Sequence, residues 1–126
     1  MSPLLLDTNV VVWLLTGNRT AVSKPATDAL TNGEEQLLLS AVSIWEIAIK
    51  RSLGKLRLGD NWLPALRQLD FHQLPITGLH AEAVEHLPWH HRDPFDRLLV
   101  AQAQVEGARL VSADAGLATY GVDVVW

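Results

Sequence analysis

The sequence predicts a three-layer α/β fold, in which helices cover both faces of a mainly parallel sheet of about five strands. Short, continuous apolar runs alternate with segments of helical periodicity along the 126 residues. Continuous apolar runs are typical of strands that are buried on both faces, as they are in a parallel sheet. We find no internal repeat and no linker, so we expect one domain spanning residues 1–126.

The first part of the chain contains two predicted strands, the apolar triplets Leu4–Leu6 and Leu37–Leu39. Helices are predicted after each strand, bounded by residues that favour helix ends. These helices run from Thr8 to Leu15 before Gly17, from the cap residue Ser23 through Pro25 to just before Gly33, from Ser43 to Ser52 before Gly54, and from Trp62 to Leu69.

The second part of the chain continues the alternation of strands and helices. His72–Ile76 is a predicted third strand, and Pro75 places it at an edge of the sheet because proline lacks an amide donor. The clearest helix begins at Asp93-Pro94, where capping signals coincide. This helix ends at about Glu106, before Gly107. The other predicted elements are a helix over Leu79–His86, a strand at Leu110–Val111, a short helix from Ala115 and a strand over Val122–Val125.

Composition restricts the chemistry that this chain can perform. The apolar fraction of 48% and the charged fraction of 19% are ordinary for a globular protein with a core. The absence of cysteine excludes a disulfide framework, a thiolate zinc site and a cysteine nucleophile. No apolar stretch approaches the roughly 18 residues of a membrane span, and the N-terminus lacks a signal-peptide pattern. We therefore expect a soluble, cytoplasmic protein.

The net charge gives a first indication about partners. Ten basic and 14 acidic residues give a formal charge of −4, which by itself argues against a nucleic-acid partner. That objection weakens if several carboxylates gather around divalent cations, because the cations then supply positive charge locally.

Four acidic residues are predicted to lie at one edge of the sheet. Asp7 follows the first strand and Asp114 follows the fourth, and ligands of open α/β sheets bind at these carboxyl ends. Glu46 and Asp96 lie in the predicted first turns of helices, which begin at the same edge. Carboxylates that are far apart in the sequence are therefore expected to converge on one pocket.

Such a cluster favours metal-dependent hydrolysis of phosphodiesters. Unpaired carboxylates repel each other and raise each other's pKa, and Mg²⁺ or Mn²⁺ relieves this repulsion because both ions prefer oxygen ligands. A bound ion polarises a phosphodiester and lowers the pKa of a bound water molecule. We predict that Asp7, Glu46, Asp96 and Asp114 are both metal ligands and catalytic residues.

Four segments of the chain resemble the signature of the PIN-domain family, in order and spacing. The His91–Ala103 segment, which contains Asp93-Pro94-Phe95-Asp96-Arg97, is the most specific of the four. The other three are Leu4-Leu5-Leu6-Asp7-Thr8-Asn9, Ser43-Ile44-Trp45-Glu46-Ile47 and Leu110-Val111-Ser112-Ala113-Asp114. In detail the chain is most similar to VapC-like toxins of bacterial toxin–antitoxin pairs.

This resemblance implies an endoribonuclease that uses Mg²⁺ or Mn²⁺, is inhibited by a cognate antitoxin and forms a homodimer. Asp7, Glu46 and Asp96 match the three strongest acidic positions of the family. Asp114 matches the fourth position, which varies more, since some members place an acid where this chain has Leu117.

The resemblance also implies roles for two polar residues beside the acids. Asn9 and Ser112 match positions that help to orient the metal ligands through hydrogen bonds.

Each acid also has an ordinary structural interpretation as part of a helix cap. Asp7 and Asp114 fit caps of the helices that follow them, and Asp93 fits the cap before the clearest helix. Ser43 with Glu46 fits the capping-box pattern. Capping alone does not require these acids to share one pocket, which is what the metal-site interpretation predicts.

Several basic residues are candidates for binding the RNA backbone. Lys50 and Arg51 follow Glu46, where the alternative is a solvated surface at the C-terminal end of a helix. Arg92 and Arg97 flank Asp96 and are better placed to contact a phosphate. The alternative for Arg97 is an ion pair with a neighbouring carboxylate.

The histidines are not predicted to bind metal. His86 and His90 have the spacing of a helical zinc pair, but Pro88 interrupts the helix between them. No third ligand at a suitable spacing accompanies them, so we expect this segment, including His91, to form a surface loop.

Other functional classes fit less well. A receiver domain requires paired acids after the first strand, where this chain has Asp7-Thr8-Asn9, and a late lysine, whereas Lys55 is the last lysine. A phosphate-binding glycine loop and a nucleophile elbow are both missing from the sequence. The remaining alternative is a catalytically silent PIN-like scaffold that binds RNA or protein.

Overall fold

Short apolar segments form an all-parallel sheet in the computed structural model, which describes residues 2–126. The strands are Leu4–Leu6 (β1), Leu37–Ser40 (β2), His72–Leu74 (β3), Arg109–Val111 (β4) and Val124–Val125 (β5). Their order is β3-β2-β1-β4-β5, and every neighbouring pair is parallel. The sequence prediction of an α/β fold with a five-stranded parallel sheet is therefore confirmed.

The order of the strands reverses at β1. The chain moves outward from β1 to β2 and β3, and then places β4 on the other side of β1. Such a reversal opens a crevice at the carboxyl ends of the two central strands, because the connections that follow them diverge to opposite faces. Asp7 comes directly after β1, and Ser112 comes directly after β4.

Helices pack on both faces of this sheet. The α-helices are Thr8–Thr16 (α1), Lys24–Thr31 (α2), Ala41–Ser52 (α3), Trp62–Arg67 (α4), Gly78–Ala83 (α5) and Pro94–Glu106 (α6). Short 3₁₀ segments cover Arg19–Ala21, Val84–His86 and Ala115–Tyr120. No helix within residues 2–126 has both the length and the apolar character needed to cross a membrane.

The alternation of side chains along β1 divides the core into two layers. Leu5 packs into one apolar cluster with Val100 of α6, whereas Leu4 and Leu6 pack into the other with Val10 of α1. All three leucines of β1 are fully buried, as the continuous apolar run predicts. The two clusters form the interfaces of a three-layer architecture.

The start of α3 differs from the prediction. The helix begins at Ala41, and the Ser40 hydroxyl caps it by accepting a hydrogen bond from the Val42 amide at 2.9 Å. Ser43 lies inside the helix, where its hydroxyl accepts a hydrogen bond from Thr8 Oγ1 at 3.0 Å. The predicted capping box of Ser43 with Glu46 is therefore wrong, and Glu46 lies in the second turn of α3 instead of the first.

The other helix boundaries follow their local signals closely. Asp93 caps α6 by accepting hydrogen bonds from the amides of Phe95 and Asp96, at 2.8 and 3.1 Å. Gly107 ends the same helix with a φ of 63°, a left-handed conformation that suits glycine. The predicted strand over Val122–Val125 is shorter than expected, because only Val124 and Val125 join the sheet.

Candidate active site

Asp7 occupies the crevice at the carboxyl end of β1. It is buried, and its Oδ1 accepts a hydrogen bond from the Val10 amide at 3.0 Å, which caps α1. Its Oδ2 accepts a short hydrogen bond from the Ser112 hydroxyl. Asp7 therefore caps α1 and also lies in the crevice, and these two hydrogen bonds fix the orientation of its carboxylate.

The two polar residues that the resemblance singled out lie in different surroundings. Ser112 is fully buried, and its hydroxyl also accepts a hydrogen bond from the Asp114 amide at 3.0 Å. This serine thus connects Asp7 to the segment that carries Asp114. The Asn9 amide lowers the pKa of the Asp7 carboxyl, but the Asn9 side chain is exposed and makes no hydrogen bond within residues 2–126.

Glu46 and Asp96 reach the crevice from α3 and α6. Glu46 is buried, and its Oε2 pairs with Lys50 Nζ at 2.8 Å, one helical turn away. The preceding residues bring the two helices together, since the rings of Trp45 and Phe95 meet edge to face with centroids 4.9 Å apart. This aromatic contact fixes the relative position of the two helices immediately beside their carboxylates.

The ionisation of Asp96 is governed by burial and by the other acids. Burial is the largest cause that raises its pKa, and the charges of Asp93, Glu46, Asp7 and Asp114 raise it further, to about 6. The Asp7 pKa is also raised, again chiefly by burial, with a contribution from Glu46. The charges of Glu46, Asp7 and Asp114 therefore all act on Asp96, and the charge of Glu46 also acts on Asp7.

His91 joins this group, although the sequence predicted only a surface loop there. One ring nitrogen of His91 and one carboxylate oxygen each of Asp96 and Asp114 all lie within 4.8 Å of one another. The ring is partly buried and stacks on Tyr120, with centroids 6.1 Å apart and planes 26° apart. The local spacing of histidines carries no signal for this position, because it depends on Tyr120, which is distant in the sequence.

The donor set fits a hard divalent cation. Carboxylate oxygens are the ligands that Mg²⁺ and Mn²⁺ prefer. Oxygens of Asp96 and Asp114 lie within 4.8 Å of each other, and Asp7 and Glu46 are near enough for their charges to act on Asp96. The raised pKa values of Asp7 and Asp96 reflect burial and repulsion that a bound cation would offset. Lys50 supplies a compensating positive charge, which is paired directly with Glu46 at 2.8 Å.

The predicted RNA-binding residues are placed very differently from one another. Lys50 borders the crevice through its ion pair with Glu46. Arg51 turns away from it, and its guanidinium donates to the Leu58 carbonyl and to Asp60, both at 3.1 Å. Arg92 is exposed and lies two residues before the start of α6.

The predicted RNA-binding role of Arg97 requires a correction, because this side chain is buried in the structure. Its guanidinium donates to the carbonyls of Pro88, Val84 and Leu87 at 2.8, 3.2 and 3.3 Å, and it lies 3.8 Å from the centre of the Trp89 ring. These contacts argue against the expected contact with RNA, and no ion pair with a carboxylate forms within residues 2–126. Arg97 instead fastens the 84–89 segment to α6.

Comparisons with known proteins agree with this architecture. The sequence profile of the PIN domain matches residues 4–122. VapBC2 from Rickettsia felis bound to a DNA fragment from its promoter has a similar fold, with a TM-score of 0.73 and 14% identity over 96% of each chain. VapBC-1 from nontypeable Haemophilus influenzae gives a TM-score of 0.70 and 15% identity over 96% of this chain and 95% of that chain.

A further solved structure, a toxin–antitoxin complex from Klebsiella pneumoniae, gives a TM-score of 0.65 and 20% identity over 97% of this chain and 95% of that chain. No curated protein matches the sequence. At these identities the structural similarity concerns the fold.

Proposed function

This chain belongs to the PIN-domain family, and on that basis we propose that it is a Mg²⁺- or Mn²⁺-dependent endoribonuclease and the toxin of a toxin–antitoxin pair. The observation that carries the proposal is the grouping of acids from distant parts of the chain: ligand atoms of Asp96 and Asp114 lie within 4.8 Å of each other, and the charges of Glu46 and Asp7 act on Asp96. Helix caps alone would not require this proximity.

The proposed mechanism assigns each residue a task in holding and orienting the ion and the substrate. Asp7, Glu46 and Asp96 would hold the ion, and the partly exposed Asp114 would support it. Ser112 keeps the Asp7 carboxylate in position through its hydrogen bond. A bound Mg²⁺ or Mn²⁺ ion polarises the phosphodiester and makes water a better nucleophile.

A bound cation would also allow this acidic protein to bind RNA. The net charge of −4 includes the carboxylates of the crevice, whose charge a divalent ion would offset locally. Lys50 at the crevice and the exposed Arg92 beside α6 are the remaining candidates for contact with the RNA backbone.

A cognate antitoxin and a second copy of the chain are the proposed protein partners. Support for the antitoxin comes from the similar solved structures, which are VapBC or toxin–antitoxin complexes and match nearly the whole chain. The homodimer rests on the family resemblance. Light scattering of the purified chain, alone and with the product of a neighbouring short reading frame, tests both assemblies.

The proposed activity is tested by cleavage of a mixed RNA substrate in the presence of Mg²⁺ or Mn²⁺. We expect EDTA and the variant Asp7→Asn to abolish cleavage, whereas the control variant Asp70→Asn, which changes an exposed acid, keeps it. Cleavage that survives EDTA or Asp7→Asn would contradict the mechanism. Metal binding without any cleavage would instead support the silent scaffold.

A further inference from the structure

The His91 imidazole faces the more exposed side of the carboxylate cluster. Its Nε2 lies 3.7 Å from Asp114 Oδ2, which is longer than a hydrogen bond. Two ligands of one octahedral ion, each about 2.1 Å from the metal, are separated by about 3 Å when adjacent and about 4.2 Å when opposite. The observed separation falls between these values, so a shift of about half an ångström in either side chain would bring both atoms within ligand distance of one ion.

Contacts from elsewhere in the chain hold His91 in this orientation. The His91 amide donates a hydrogen bond to Tyr120 Oη at 2.8 Å, and its ring stacks on the Tyr120 ring. Tyr120 is itself buried in the core, so it offers a firm support. These contacts fix the backbone of His91 and one face of its ring.

The absence of a side chain at Gly116 leaves room for the His91 imidazole. A Cβ atom at this position would lie 3.1 Å from His91 Nε2, which is closer than ordinary contact. The Gly116 amide also donates to Asp114 Oδ1 at 2.9 Å. This hydrogen bond occupies one oxygen of Asp114, while the other is the one that faces His91.

We propose that His91 is a nitrogen ligand of the divalent ion, together with Asp96 and Asp114. This inference rests on the proposed metal-dependent function and adds to it a ligand of a different chemical type. Within residues 2–126 the His91 ring nitrogens form no hydrogen bond, so the lone pair of the unprotonated nitrogen is not already engaged.

A nitrogen ligand changes which ion the site prefers. Mg²⁺ is a hard ion that favours oxygen ligands, whereas affinity for imidazole increases toward the later transition metals. We therefore expect the protein to bind Mn²⁺ and Co²⁺ more tightly than Mg²⁺. Loss of His91 should lower Mn²⁺ affinity by about tenfold or more and Mg²⁺ affinity by less.

Pulsed electron paramagnetic resonance of the Mn²⁺-loaded protein, without RNA, tests the ligand directly. We expect the wild-type spectrum to show modulation from a directly coordinated ¹⁴N nucleus, and His91→Ala to remove it. The control variant His86→Ala changes a histidine whose side chain is 79% exposed and should keep the modulation. Thermal unfolding of both variants verifies that they fold, and His91→Gln provides a second, polar replacement.

The outcomes separate this inference from the proposed function. Mn²⁺ that binds without nitrogen coupling, or with coupling that persists in His91→Ala and His91→Gln, would overturn the role of His91 and leave the carboxylate site intact. Failure of Mn²⁺ to bind the wild-type protein at all would overturn both proposals. Equal losses of Mn²⁺ and Mg²⁺ affinity in His91→Ala would contradict the expected selectivity.

Discussion

Replacing Asp96 with asparagine should stabilise the metal-free protein near neutral pH. Burial, and then the charges of neighbouring acids, raise the pKa of Asp96 from its ordinary value of 3.8 to about 6. The folded protein therefore binds this proton more tightly than the unfolded chain, and the ionised carboxylate lowers stability above that pKa. Asparagine keeps the shape of the side chain and removes its charge.

The size of the effect follows from the raised pKa. At about 1.4 kcal/mol for each tenfold change in the dissociation constant, the increase corresponds to about 3 kcal/mol. Because Asp96 is only partly buried, solvent screening reduces this to about 1–2 kcal/mol. Loss of a negative charge in the first turn of α6 costs about 0.5 kcal/mol. The net gain is about 1 kcal/mol, or about 4 °C in Tm.

Urea and thermal unfolding in EDTA measure this gain. The gain should be present near pH 7, shrink as the pH falls below about 6, and disappear below about 3.8, where Asp96 becomes protonated in the unfolded chain as well. The control variant Asp70→Asn removes an exposed charge and should change Tm little. An Asp96→Asn variant that is no more stable than wild type near pH 7, or a gain in stability that does not change with pH, would refute this reasoning.

Three further predictions concern charges around the site. Lys50→Met removes the cationic partner of Glu46, so Tm in EDTA should fall and the affinity for Mn²⁺, measured by titration calorimetry, should rise several-fold. An unchanged affinity, or an equal effect of the control variant Lys55→Met, would contradict this prediction. Mn²⁺ should raise Tm more at about pH 7 than at about pH 5, because Asp96 with its pKa of about 6 must lose a proton to bind the ion; equal increases would count against its role as a ligand. Arg97→Leu should reduce the free energy of unfolding by about 3 kcal/mol, because several backbone carbonyls lose their donor; a selective loss of RNA affinity at unchanged stability would contradict its structural role.

The helix-capping and metal-binding interpretations of the acids are compatible. Asp7 caps α1 with Oδ1, and Asp114 accepts the Gly116 amide with Oδ1. A carboxylate oxygen has more than one lone pair, so each acid retains acceptor capacity for an ion. Capping also immobilises the side chain, which lowers the entropic cost of assembling the site.

The convergence of the acids could be predicted because it depends on features that the sequence encodes locally. Apolar runs locate β1 and β4, and residues that directly follow parallel strands meet at one edge whatever the details of packing. The predicted position of Asp7 needed no further information, because Asp7 directly follows β1, and Asp114 lies only three residues after the end of β4. The first residue of α3 could not be predicted from the sequence in the same way, because Ser40 and Ser43 are both plausible caps and tertiary contacts decide between them. Ser40 pairs with Leu74 in the sheet and also donates to Gln102.

The positions of His91 and Arg97 could not be predicted for a related reason. His91 is held by Tyr120, and the guanidinium of Arg97 is held by carbonyls of the 84–88 segment that folds back over α6. Neither contact leaves a periodic or spacing signal in the sequence. Proximity of both residues to the Asp93-Pro94 motif was the only available indication.

The most direct test of the shared carboxylate site is an anomalous diffraction map from a crystal soaked with Mn²⁺. We expect a peak within ligand distance of Asp96 and at least one of Asp7 and Glu46, and loss of this peak in Asp96→Asn crystals soaked identically. Manganese bound elsewhere, with these carboxylates left uncoordinated, would contradict the account.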